Sequence, residues 1–143
     1  MTSITWSQYL ARGLYSTNDK DGNQYIYHMC EVEKYQNTDP VFFPPTYQQD
    51  GFVHATANPS MLLGVGNHFY KNIPGEWICL EILPSVLGAP VKFESPAPVG
   101  NTQSNADSDL LFPHIYGGIS KYAVNRIIKV NRNEVGEFLS LDM

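Results

Sequence analysis

The chain is poor in charge and nearly lacks cysteine. Only 16% of its 143 residues are charged, and they leave a formal net charge of −5 and a pI near 5.2. That deficit of positive charge excludes a general nucleic-acid binder, which meets the phosphate backbone with a basic patch. The one basic cluster, Arg126, Lys129 and Arg132, has the spacing of a strand's solvated face and its exit. Two cysteines, Cys30 and Cys79, both within apolar runs, make no disulfide framework and read as free buried thiols. No run of about 18 apolar residues is present to span a bilayer, and no charged N-terminal region precedes an apolar one. A cytoplasmic protein without nucleic-acid or membrane partners is therefore expected, with its oligomeric state left open.

Missing too are a glycine-rich phosphate loop and a dinucleotide fingerprint. His-x-His, His-x-x-x-His and Cys-x-x-Cys spacings are absent, as is any close carboxylate–histidine motif. No metal is expected, and no cofactor is specified by a motif.

What the chain has is apolar and aromatic: 43% hydrophobic and 13% aromatic residues, enough for one domain of ordinary size rather than a disordered segment. Strands are expected over residues 24–30, 51–56, 77–83, 91–94 and 123–130, from their β-branched and aromatic content, and residues 110–116 lead into Gly117-Gly118. Asn58-Pro59 places an N-cap before a proline at the first helical position, and Met61, Leu62, Val65 and Phe69 continue at helical spacing. Residues 59–71 are thus the principal helix. Short helical turns are expected at 4–12, ended by Gly13, at 31–35, at 84–87 and at 134–141. Residues 18–23 read as a polar turn, prolines exclude regular structure over 40–46, and residues 95–109 form a long loop. The expected fold is α+β: a single compact domain with a mostly antiparallel sheet and one principal helix.

All four histidines fall beside turns, glycines or aromatic residues. His54 and Thr56 lie two apart on a strand, hence on one face, just before a helix start. An imidazole beside a hydroxyl suits a ribose or another polyol; the same spacing also fits a strand-end histidine bonded to a carbonyl, with Thr56 in the turn. His114 and Tyr116 repeat the stride ahead of Gly117-Gly118, and a tight edge turn is the alternative there. Glu81 and Glu94 are the carboxylates that strand alternation allows to face inward, where they would orient a histidine or stabilise positive charge. His28 sits mid-strand and suits a supporting role, while His68 has the place of a half-exposed structural residue on the helix.

In Tyr27-His28, Gly51-Phe52-Val53-His54-Ala55-Thr56, Phe69-Tyr70, Leu80-Glu81-Ile82, Glu94 and Phe112-Pro113-His114-Ile115-Tyr116-Gly117, the chain resembles the proteins grouped as domain of unknown function 952. The likeness spans residues 25–130, within a core of 24–130 preceded by an N-terminal extension of 1–23. The chain departs from it in that extension, in Ala55 where a cysteine is commoner, and in the lengthened loop after Glu94. The resemblance implies a compact α+β domain and a remote likeness to the ADP-ribosyltransferase fold. There a strand-borne histidine followed by a small hydroxyl residue contacts the ribose of NAD, a place His54 and Thr56 would take, with Glu94 as the later carboxylate.

The expected site is therefore a pocket with His54, Glu94, His114 and Tyr116 as catalytic groups and Thr56, Tyr27, His28, Tyr70 and Phe112 against a small-molecule substrate. Three functions fit it. The first is a small-molecule enzyme acting on an NAD-like nucleotide; the second is a cofactor-independent lyase, isomerase or cyclase working by acid and base. The third is a ligand-binding module without turnover.

Overall fold

The computed structural model describes the backbone of residues 3–5 and the whole of residues 24–107 and 109–143. Among the described residues are ten strands: β1 (Ser3–Thr5), β2 (Ile26–Glu31), β3 (Val41–Phe42), β4 (Val53–His54), β5 (Trp77–Ile82), β6 (Val91–Glu94), β7 (Phe112–Ile115), β8 (Ile119–Ser120), β9 (Val124–Arg132) and β10 (Phe138–Leu141). Helices α1 (Val32–Gln36), α2 (Tyr47–Asp50) and α3 (Leu62–Phe69) interrupt them, with 3-10 turns at Pro59–Met61, Pro84–Val86 and Lys121–Ala123. The α+β class is as expected, and α3 is the longest of the described helices.

The strands form two antiparallel four-stranded sheets, in the orders β1-β6-β7-β4 and β10-β9-β5-β2, with β3 and β8 as a separate pair. The sheets meet where Tyr27 and Thr56 exchange backbone hydrogen bonds of 2.8 Å each way. Strand β2 buries both its faces, which is why it reads as a continuous apolar run rather than an alternating one. One face gives Ile26 and Cys30 to a core shared with Leu80, Ile82, Val53 and Ile115. The other gives Tyr27 and Met29 to a cluster with Trp77, Cys79, Ile128, Phe138 and Leu62 of α3. Both thiols are free and buried, and burial raises both, Cys79 to about 12, so neither is a nucleophile near neutrality.

Three expectations about elements are corrected. Ile4 and Thr5 belong to a strand, paired with Phe93 and Lys92, where a helix was expected from residue 4; β-branched residues supply an edge strand more readily than a helix. The remainder of that helix, Gly13 and the 18–23 turn lie outside the described residues. Between the prolines, Val41 and Phe42 pair with Ser120 and Ile119, because prolines bar only their own amides from a ladder. Residues 138–141, expected as a turn, are strand β10: Phe138 is buried edge-on to the Trp77 ring at 5.7 Å, while Leu139 faces out.

Of the basic cluster, Arg126 and Lys129 are exposed, as the spacing implies, and Arg132 is half-buried. Arg126 donates to buried Glu81 at 2.9 Å, joined there by Asn125 and the Tyr27 hydroxyl. Glu81 therefore faces inward, into a satisfied polar knot. Arg132 donates to the carbonyls of Lys71, Gly75 and Gly136. Among the described residues no helix is long and apolar enough to cross a membrane.

Candidate functional site

The register of β4 against β7 sets His54 directly opposite His114. Residues paired across an antiparallel ladder share a face, so both rings stand on the side away from Val53, Ile115 and the shared core. Lys92 pairs with His114 and Glu94 with Phe112, which brings Glu94 to the same face. On the opposite face Val53 and Ile115 are fully buried in the shared core, and Phe93 is fully buried against Ala57.

The rings of His54 and His114 lie 5.5 Å apart, nearly perpendicular, at 72°. Each is held by its own carboxylate. Asp50 Oδ2 is 2.9 Å from His54 Nε2, and Glu94 Oε1 is 3.0 Å from His114 Nδ1. The Tyr116 hydroxyl donates to that same Glu94 oxygen, and Lys92 Nζ lies 5.0 Å from the Tyr116 ring centre. Phe52 stacks on His114 at 4.1 Å and 20° and also touches the ring of His54, closing one side of the pair with hydrocarbon. Carboxylates accept only, so each imidazole donates to its partner when neutral, leaving His54 Nδ1 and His114 Nε2 as lone-pair nitrogens.

Burial keeps the rings neutral. It lowers His54 below its ordinary value and His114 to about 4, outweighing in each case the pull of the adjacent carboxylate. Burial and the adjacent Glu94 together push the Tyr116 hydroxyl up to about 12, so it is a donor and not a base near neutrality.

Both histidines line a cavity of about 60 Å³ bounded by α3 and the 95–106 segment. Thr56, Tyr27, His28, Tyr70 and Phe112 line it as well. Glu94 and Tyr116 do not; they stand behind His114, as supports. The long loop is tied down over the cavity rather than loose: Gly100 N–H donates to Asp50 at 3.1 Å, and its Gln103 carbonyl accepts from His68 on α3. His68 thus has the structural place expected for it. His28, from β2, donates through Nδ1 to the carbonyl oxygen of His54 at 2.6 Å.

Two members of this arrangement escaped the sequence reading. Asp50 is a carboxylate four residues before His54, correcting the expectation that no close carboxylate–histidine motif exists. Its signal was Asp50-Gly51: Gly51, with φ of 81°, ends α2 in the left-handed region and folds the chain back so that His54 meets Asp50. Phe52 lies two residues before His54, so alternation puts it on the same face, but its stacking on His114 depends on the β4–β7 register.

The fold and the site define a small antiparallel α+β protein built around two carboxylate-held histidines. Residues 26–127 match the family described as protein of unknown function (DUF952), and the chain belongs to that family. Among solved structures it is similar to protein CC0527 from Caulobacter crescentus, with a TM-score of 0.64 and 17% identity over 80% of this chain and 93% of that one. A double mutant of the same protein gives a TM-score of 0.64 at 16% identity over the same shares. Likeness at that identity carries the fold and not the chemistry. No protein of curated function matches the chain.

Proposed function

We propose that the protein is a small-molecule enzyme in which His114 serves as the acid–base group over one cavity, His54 Nδ1 accepts a hydrogen bond from the bound group, and Thr56 is a further substrate contact. The observation that carries this is the doubled arrangement itself: two imidazoles 5.5 Å apart, each oriented by its own carboxylate. One oriented histidine is common in a fold; two that share a cavity give a bound group two acceptors from one sheet face. His114 Nε2 takes a proton from the substrate, the resulting imidazolium is stabilised by Glu94, and the proton returns to the product from the same nitrogen. Asp50, Glu94 and Tyr116 are positioning residues. Tyr27, His28, Tyr70 and Phe112 form the wall.

The ligand we favour is an NAD-like nucleotide inserted by one end. The stride from His54 to Thr56 carries the resemblance to ribose-binding strands, and Tyr70 and Phe112 offer flat apolar walls to a ring. A cavity of about 60 Å³ takes one end of such a molecule and leaves the rest outside. One observation favours a cofactor-independent lyase, isomerase or cyclase instead. Glu94, the carboxylate that ribosyl transfer would present to a cationic sugar, is engaged by His114 and Tyr116 and stands behind the cavity wall.

Titration calorimetry against NAD, ADP-ribose and nicotinamide separates the two. Saturable heat that is lost in His54→Ala supports the nucleotide reading. No heat with any of the three removes it and leaves acid–base chemistry on a smaller metabolite, with a bell-shaped pH–rate profile as its signature. Binding without turnover of any ligand found would mark the protein as a binding module.

A further inference from the structure

A second cavity, of about 220 Å³, adjoins the first and shares His28, Met29, Tyr70 and Val99 with it. Its walls are aromatic and apolar. Phe42 and Ile73 join Tyr70 and Trp77, whose rings stack at 4.6 Å. Charge is confined to Glu31 and Lys34, which lie 3.8 Å apart and offset one another.

Two buried polar atoms without a partner among the described residues break this apolar character, the Trp77 Nε1 donor and a nitrogen of His28. His28 is 5% exposed, and its Nδ1 lies 2.6 Å from the His54 carbonyl oxygen. A carbonyl only accepts, so Nδ1 carries the ring proton. Burial holds the ring neutral, with a pKa of about 4, which leaves Nε2 as an acceptor. That acceptor is buried and has no partner among the described residues. Buried polar atoms are nearly always satisfied, and the exceptions mark strain or a missing partner.

We propose that the second cavity is a subsite for an uncharged, ring-bearing group with one hydrogen-bond donor, accepted by His28 Nε2. Stacked Tyr70 and Trp77 give a ring its wall, and the absence of a net charge at the mouth gives an ion nothing to meet. The proposed function is needed only for what the subsite means: the group bound here is the far end of a substrate whose reacting end lies at His54 and His114. His28 links the two, holding the strand that carries His54 with one nitrogen and the distal group with the other.

The test uses phenol and toluene, the same ring with and without a donor, titrated into the full chain and followed by nitrogen–proton NMR. Phenol is expected to shift the Trp77 indole and Ile73 amide signals saturably and to bind about ten-fold more tightly than toluene. In His28→Leu the preference disappears; in His54→Ala it remains, because His54 does not line this cavity. Equal affinity for the two probes, no saturable binding of phenol, or saturable shifts confined to other residues would overturn the subsite. Should His28→Leu not fold, the phenol-to-toluene ratio in the unaltered protein decides alone. A preference for phenol together with no heat from any nucleotide leaves the subsite standing and rejects only the nucleotide reading.

Discussion

His54 and His114, 60 positions apart in the chain, are directly paired across two antiparallel strands, with ring centres 5.5 Å apart and separate carboxylate partners. The symmetry is chemical rather than topological. Asp50 reaches His54 from the end of a four-residue helix, whereas Glu94 reaches His114 from the neighbouring strand. Two unrelated local structures have thus been brought to the same end, a neutral imidazole with a fixed tautomer.

Glu94→Gln should loosen that tautomer. A carboxylate admits only the form with the proton on Nδ1, while an amide can donate as well as accept. In the unaltered protein the nitrogen shifts of His114 should show a protonated Nδ1 and a bare Nε2. In Glu94→Gln they should average between forms, while His54, held by Asp50, stays as it was. Unchanged His114 shifts in the variant would contradict the positioning role.

Stability should fall in acid through His28. Its folded pKa is about 4, against 6.5 for the free side chain, so between those values the unfolded chain binds more protons than the folded one. The contribution is intact above pH 6.5, is lost as pH falls toward 4, and changes no further below that. The loss is on the order of 3 kcal/mol for this residue. Urea unfolding at pH 7.5, 5.5 and 4.5 measures it as the difference in slope between the unaltered protein and His28→Gln, which has no such titration. Parallel curves would contradict it.

Two glycines in α3 should respond in opposite directions to alanine. Nothing lies within 4 Å of a Cβ at Gly64, so Gly64→Ala should stabilise by about 1 kcal/mol through helix propensity. At Gly66 a Cβ would sit 2.9 Å from both Met29 Sδ and the Phe138 ring. Gly66→Ala should cost roughly 1–3 kcal/mol, as overpacking does. Thermal unfolding of the two variants reads both signs, and stabilisation by Gly66→Ala would contradict the close packing of α3 on Met29 and Phe138.

Much of this arrangement was visible in the residues. The strides from His54 to Thr56 and from His114 to Tyr116 placed each pair on one face by strand alternation, and Asn58-Pro59 marked the start of the helical segment that leads into α3. What alternation could not supply was partnership across the chain. Whether Glu94 supports His114 or faces a ligand depends on the β6–β7 register, which no local pattern contains. Asp50 was hidden for a different reason: its link to His54 is made by the left-handed turn at Gly51, not by helical or strand periodicity. Strand β10 was missed because four residues with one buried aromatic carry too little signal until β9 is there to pair with.

The central claim is that His54 and His114 serve one bound molecule together. It is tested most directly by following the imidazole nitrogen signals of both histidines while NAD, ADP-ribose and a panel of small hydroxy and keto metabolites are added. A ligand of this site should move the signals of His54 Nδ1 and His114 Nε2 together, along one saturation curve; the His114 response should vanish in His54→Ala, and the His54 response in His114→Gln. A ligand that moves one ring and leaves the other unchanged at saturation would contradict the claim.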